Sequence, residues 1–151
     1  MSFLNAKDTI NGGEGTAYAT INGSIEELAY IKKIEGKVDK EKEEIKVLGR
    51  RGTSSKAKGL KGTGTMTIYY VTSIFRKLMS DYNKTGKDTY FDIQITNEDP
   101  ASASGKQTVV MKNCNIDSVI IAKLDIDSSA MDEEISFTFD SFELLDDFTH
   151  L

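Results

Sequence analysis

The chain has 151 residues, a hydrophobic content of 38% and a formal net charge of −5. This length and composition suit one domain with a modest core, and without a run of about 18 apolar residues they exclude a membrane-spanning helix. The single cysteine, Cys114, excludes an intrachain disulfide, and no basic-then-apolar leader opens the chain, so assembly in a reducing cytoplasm is expected.

Charge is segregated along the chain. Residues 1–29 carry one Lys and four acids, for −3. Residues 30–61 carry eleven Lys/Arg and five acids, for +6, and residues 62–151 carry seven and fifteen, for −8. Such blocks suggest complementary surfaces that meet either nucleic acid or further copies of the chain.

The first fourteen residues are polar and glycine-rich, with isolated Phe3 and Leu4, and form an arm that needs a neighbour to order it. Gly15 to Ile21 alternates as a short strand, and Asn22-Gly23 is the strongest hairpin signal in the chain. A long strand is expected over Leu28–Asp39, with a polar turn at Lys40-Glu41-Lys42 and a return strand over Glu43–Leu48. Helix-forming composition across Lys37–Lys46 competes with this hairpin, and the Ile/Val/Tyr alternation on both sides favours strands.

Next comes a basic, glycine-punctuated loop, with bounds 49–62, unusually long for a small domain. Thr65–Val71 is a β-branched and aromatic strand. Thr72 or Ser73 then caps a helix with Ile74, Phe75, Leu78, Met79 and Tyr82 on one face and Arg76, Lys77, Ser80 and Asp81 on the wet one. Gly86 ends it. Further strands are expected over Tyr90–Thr96, Gln107–Cys114, Ile116–Ile126 and Glu133–Phe139, the last with Ile135, Phe137 and Phe139 inward. Residues 142–151 read as an acidic tail. The sum is one mainly β domain over residues 1–151, an antiparallel sandwich or barrel with one flanking α-helix.

Catalytic sets are missing. The lone His150 is at the chain end, Cys114 reads as a small buried hydrophobe, and no CxxC or HxxxH pair suits zinc. The carboxylates Asp125, Asp127, Asp132, Glu133 and Glu134 lack calcium-loop spacing and read as an acidic rim. Neither glycine cluster contains the GxxxxGK[ST] phosphate pattern. No catalytic residue, metal or cofactor is expected. The basic residues Arg50, Arg51, Lys56, Lys58 and Lys61 could grip a nucleic-acid backbone, which makes a soluble nucleic-acid-binding β-module over residues 30–61 the alternative reading. The loop lacks aromatics for base stacking, however, and a basic flap against the acidic wall of a second copy accounts for both halves of the charge pattern.

The segment VLGRRGTSSKAKGLKGTGTMTIYYVTSIF resembles the tail-tube proteins of contractile-tailed phages and phage-like bacteriocins of the Gram-positive defective-prophage type. The pieces NAKDTINGGEGTAY, AYIKKIEGKVDKEKEEIKVLGRRG, TYFDIQI and IAKLDIDSSAMDEEISFTFDSFEL extend the resemblance along nearly the whole chain. It implies a β-sandwich whose long hairpins join those of neighbours in a barrel around a channel. It also implies hexameric rings stacked into the inner tube of a contractile tail, assembled in the bacterial cytoplasm and found in a virion or bacteriocin particle. The implied partners are further copies, the tail sheath, baseplate and terminator proteins, tape-measure protein and DNA in the lumen, and a target membrane reached only through the assembled tube. On this resemblance Arg50, Arg51, Lys56, Lys58 and Lys61 belong to an extended inter-subunit loop that orders on assembly. The Leu28–Leu48 hairpin is one barrel candidate, with Tyr90–Thr96 and Gln107–Cys114, or Ile116–Ile126, as the second. Asp92 and Asp117 are the candidates for lumen-facing carboxylates, and both tails are expected at the next ring or the sheath.

Overall fold

The computed structural model describes residues 6–148. Strand β1 (Gly15–Ile21) turns into β2 (Ser24–Glu27) through Asn22-Gly23, both with positive φ, 51° and 81°, as a type I′ turn requires. A very long pair follows, β3 (Ile31–Lys46) with β4 (Thr53–Tyr69), then helix α1 (Ile74–Thr85). The remaining strands are β5 (Phe91–Glu98), β6 (Lys106–Ser118), β7 (Asp132–Phe139) and β8 (Ser141–Asp146). All pairings are antiparallel.

Two layers result. One runs β2-β1-β5-β6 with β8 on the far side of β6, and the other runs β6-β7-β4-β3. Strand β6 belongs to both, pairing β5 as far as Cys114 and β7 from Asn115 onward. The crossing is a kink at Asn113, whose φ is 55° and whose amide donates to Asp92 Oδ1 at 3.0 Å. Between the layers lie Ile68, Ile93, Cys114, Ile135 and Phe137, all essentially inaccessible. The inward residues of β7 alternate strictly, which is the period of a half-buried strand.

Helix α1 closes one side of the sandwich. Phe75 is buried against Phe91, with ring centroids 6.0 Å apart, and Gly86 supplies the left-handed C-cap, its amide bonding Tyr82 O. Ser73 occupies the N-cap without a side-chain bond, and Thr72 Oγ1 accepts from the Ile74 amide instead.

Several expectations are corrected. Lys40-Glu41-Lys42 is no turn, because β3 runs through it to Lys46, and the chain reverses over residues 47–52 with Gly49 at φ 82°. The expected loop 49–62 is strand from Thr53 onward, since its backbone groups pair with β3 from Thr53↔Lys46 to Gly62↔Val38. Gln107–Cys114 and the start of Ile116–Ile126 form one strand, β6, and residues 119–131 have no strand partner. Residues 142–146 are most of β8, not a tail. Arg76 leaves the wet face of α1 and Glu133 leaves the acidic rim to form a buried pair. In the N-terminal arm, the Asn11 amide donates to Asp99 Oδ2 at 2.9 Å, tying residues 6–14 to the β5–β6 loop, while Phe3 and Leu4 lie outside the described residues.

Candidate assembly surface

Only the root of the β3–β4 pair rests on the sandwich. Strand β7 pairs β4 from Tyr69 to Gly62 and stops there, so residues 39–61 project as a two-stranded ribbon. At about 3.3 Å per residue each arm reaches roughly 25 Å beyond the body. Every residue from Gly36 to Gly59 is exposed except the half-buried Ser54. A lone two-stranded ribbon is marginally stable in water, and the outer edge of β3 offers unpaired N–H and C=O groups over 16 residues. Such an element is completed by a partner.

The predicted basic residues all lie on this ribbon, at different places. Arg50 and Arg51 are in the turn at its tip, beside a fully exposed Leu48, and Arg50 Nη1 donates to Ser54 Oγ at 3.3 Å. Lys58 is the extra residue of a bulge, because Glu41 faces Gly59 while Lys42 faces Ala57. Lys56 faces Glu43 and Lys61 faces Asp39 across the ladder. Acid therefore sits opposite base along one ribbon face, while the excess positive charge gathers on the other face, at Lys40, Lys42 and Lys46, and at the tip. Cross-strand opposition of this kind stabilises a ribbon.

The two predicted lumen carboxylates do not come together. Asp92 holds the β6 kink through the Asn113 amide, on the outward face of β5. Asp117 lies across the sandwich in a groove beside α1, lined also by Leu78, Met79, Tyr82, Asp88 and Ile116. Sequence reasoning missed the Asp92 contact because the kink exists only where one strand changes layers.

Sequence reasoning also missed a clamp. The Arg76 guanidinium bonds Glu133 and the Thr72 carbonyl, reaches Ile120 O at 3.5 Å and stacks 4.4 Å above the Tyr70 ring. It fastens α1, the end of β4, the 119–131 segment and β7 at one point. Cys114 takes no part in any surface. It is inaccessible, donates to Met111 O at 3.4 Å, and burial, with the nearby Asp92 charge, pushes its thiol up to about 12. The folded chain is therefore expected to resist iodoacetamide at pH 8 and to be alkylated once guanidinium unfolds it. The raised thiol stabilises the fold below its ordinary pKa of 9.0, and that contribution is lost as pH rises towards 12.

Comparison with known proteins bears on what the surface does. Residues 2–146 match the model of a family described as "Phage tail tube protein". The Phage-like element PBSX protein XkdM of Bacillus subtilis (strain 168) is 45% identical over 141 residues, 93% of each chain. Among solved structures, a chain of the anti-feeding prophage baseplate superposes with a TM-score of 0.69 at 10% identity, covering 96% of this chain and 97% of that one. A chain of an extracellular contractile injection system, the PVC sheath-tube complex in its extended state, superposes at 0.68 and 12% identity, covering 92% and 93%. At such identities these two likenesses carry the fold alone.

Proposed function

The chain belongs to the phage tail tube protein family, and on that premise we propose that it assembles into stacked hexameric rings forming the inner tube of a contractile tail. Its role is structural and not enzymatic. The assembled tube is a conduit for DNA in a phage particle, or a membrane-puncturing channel in a bacteriocin, built in the bacterial cytoplasm. Its partners are further copies, the surrounding sheath, the baseplate and terminator at the ends, and tape-measure protein or DNA inside.

The observation that carries this reading is the ribbon of residues 39–61, exposed and without a third strand among the described residues. In a ring each ribbon lies on an adjacent copy, which supplies the missing neighbour and removes the open edge. The contact joins different patches on the two copies, so it propagates into rings and stacks instead of ending at a dimer. Arg50 and Arg51 at the tip meet carboxylates of that copy, drawn by the acidic remainder of the chain. Lys58 at the bulge serves the same contact along β4, while Lys56 and Lys61 face Glu43 and Asp39 of their own ribbon.

Purified chain at rising concentration is expected to pellet on ultracentrifugation and to show hollow filaments in negative stain. A chain that stays monomeric at every concentration would refute the reading. Replacing both Arg50 and Arg51 by Glu is expected to raise the concentration at which pelleting begins at least tenfold, the effect of losing about 1.4 kcal/mol per contact. Pelleting at the wild-type level would remove these two residues from the interface.

A further inference from the structure

Exposed apolar side chains occur at several places on this chain, and their surroundings differ in charge. Leu124 and Ile126 are fully exposed and alternate with Asp125 and Asp127. Phe142, Leu144 and Leu145 of β8 are half-exposed and share the strand with Glu143 and Asp146. The ribbon tip is the opposite case. Ile45, Val47 and Leu48 are exposed there, in a stretch, residues 45–58, that holds five cations and no carboxylate. The nearest acids, Glu43 and Glu44, lie on the ribbon behind it, facing Lys56 and Ser55.

The backbone presents these side chains outward. Strand pairing ends at Lys46↔Thr53, and a turn follows in which the Arg50 amide donates to the Val47 carbonyl at 3.2 Å. Leu48 and Gly49 are its corner residues, with Gly49 at the positive φ of 82° that such a turn takes at its second corner. Leu48 therefore stands at the apex, the farthest apolar side chain from the body. Lys46, Arg50 and Arg51 adjoin it on both strands' ends.

We propose that in the free chain the ribbon tip docks on anionic lipid bilayers. Val47 and Leu48 enter the boundary between headgroups and acyl chains, and Lys46, Arg50 and Arg51 meet the lipid phosphates. Long cationic side chains keep their heads at headgroup level while their stems lie along apolar surface. The open edges of a two-stranded ribbon confine entry to the turn, because unpaired N–H and C=O groups do not leave water for hydrocarbon. A nucleic acid would use only the cations, since the tip has no aromatic side chain to stack on a base and its aliphatic side chains gain nothing from phosphates. An anionic bilayer uses both halves of the tip. This goes beyond the tube reading, in which an adjacent copy covers the tip and a membrane is met only by the assembled tube.

Flotation tests it, because vesicles rise in a density gradient while tubes sink. The full chain, kept below the concentration at which pelleting begins, is mixed with vesicles of phosphatidylglycerol and phosphatidylcholine in equal parts. It is expected to float with these, to stay down with phosphatidylcholine alone, and to be released by salt. Val47→Asn with Leu48→Asn, and separately Arg50→Glu with Arg51→Glu, are each expected to raise the lipid concentration for half-binding at least tenfold. None of these residues belongs to the core, and unchanged thermal melting verifies that each variant is folded. The chain has no tryptophan, so Leu48→Trp is a single reporter. Its emission is expected to shift to the blue on anionic vesicles and to be quenched by brominated acyl chains. No flotation, or flotation that the double Asn variant leaves unchanged, would overturn the proposal. Duplex DNA bound at the same salt by a chain that ignores the vesicles would overturn it in favour of a polyanion site. The free chain is used throughout, so each result stands whether or not tubes form.

Discussion

Replacing Arg76 by Ala is expected to cost about 3–5 kcal/mol of folding stability, the range for breaking a buried ion pair by removing one partner. Arg76 is 14% exposed and Glu133 1%, so the orphaned carboxylate has almost no water to turn to. The Thr72 and Ile120 carbonyls lose their donor at the same time, and Tyr70 loses the cation over its ring. In a domain of this size the loss lowers the melting temperature by roughly 10 °C. Two further variants separate causes. Arg76→Lys keeps the charge and loses the fork that reaches several acceptors, so it recovers only part of the loss. Arg76→Met with Glu133→Leu removes both charges and is expected to recover more than Arg76→Ala alone. Thermal unfolding followed by circular dichroism ranks the four chains. Equal melting of Arg76→Ala and the unsubstituted chain would show that the clamp carries no stability. Exposed pairs such as Lys112–Glu143 are not expected to behave this way, because water screens them.

The second large effect separates folding from assembly. Lys40 and Leu60 face each other across the ladder, so replacing Glu41–Gly59 by Asn-Gly closes the root of the ribbon with a two-residue type I′ turn. Of the residues removed, only Ser54 is even half-buried, and none belongs to the core. The shortened chain is expected to keep its stability within about 1 kcal/mol, as surface changes do. Tube formation is expected to disappear, because the element that bridges copies is gone. A monomeric, cooperatively melting chain that yields no filaments is the predicted result. Filaments of normal appearance from the shortened chain would mean that copies join elsewhere. The Arg76 clamp and the ribbon thus lie at opposite ends of the account, one for the body and one for the joint.

The sequence made legible those elements in which a single face is buried. Asn22-Gly23, the α1 stripe with its Gly86 stop, and the Ile135/Phe137/Phe139 alternation all carry a period or a turn residue with one meaning. The ribbon did not, because neither face of Thr53–Lys61 is buried within one chain, and the stretch lacks the apolar alternation that marks a strand. For the same reason Lys40-Glu41-Lys42 looks like a turn when it is mid-strand. Ile116–Ile126 shows the converse, since its alternation continues past Ser118 although pairing ends there, leaving Leu124 and Ile126 fully exposed. The Arg76–Glu133 pair was hidden because burial of a charge depends on what the fold lays over it. Residues 49–62 were legible as an unusual basic stretch, and its pairing with β3 from Thr53 onward was not. Its form as a two-faced ribbon follows from strand pairing alone.

In the proposed tube, copies of this chain join through the ribbon around a hollow centre. A helical reconstruction by electron cryo-microscopy of filaments grown from the purified chain tests it most directly. The expected result is six copies around an open channel, each ribbon of residues 39–61 lying on an adjacent copy. Ribbons pointing into outer solvent, or a filament without a channel, would contradict it.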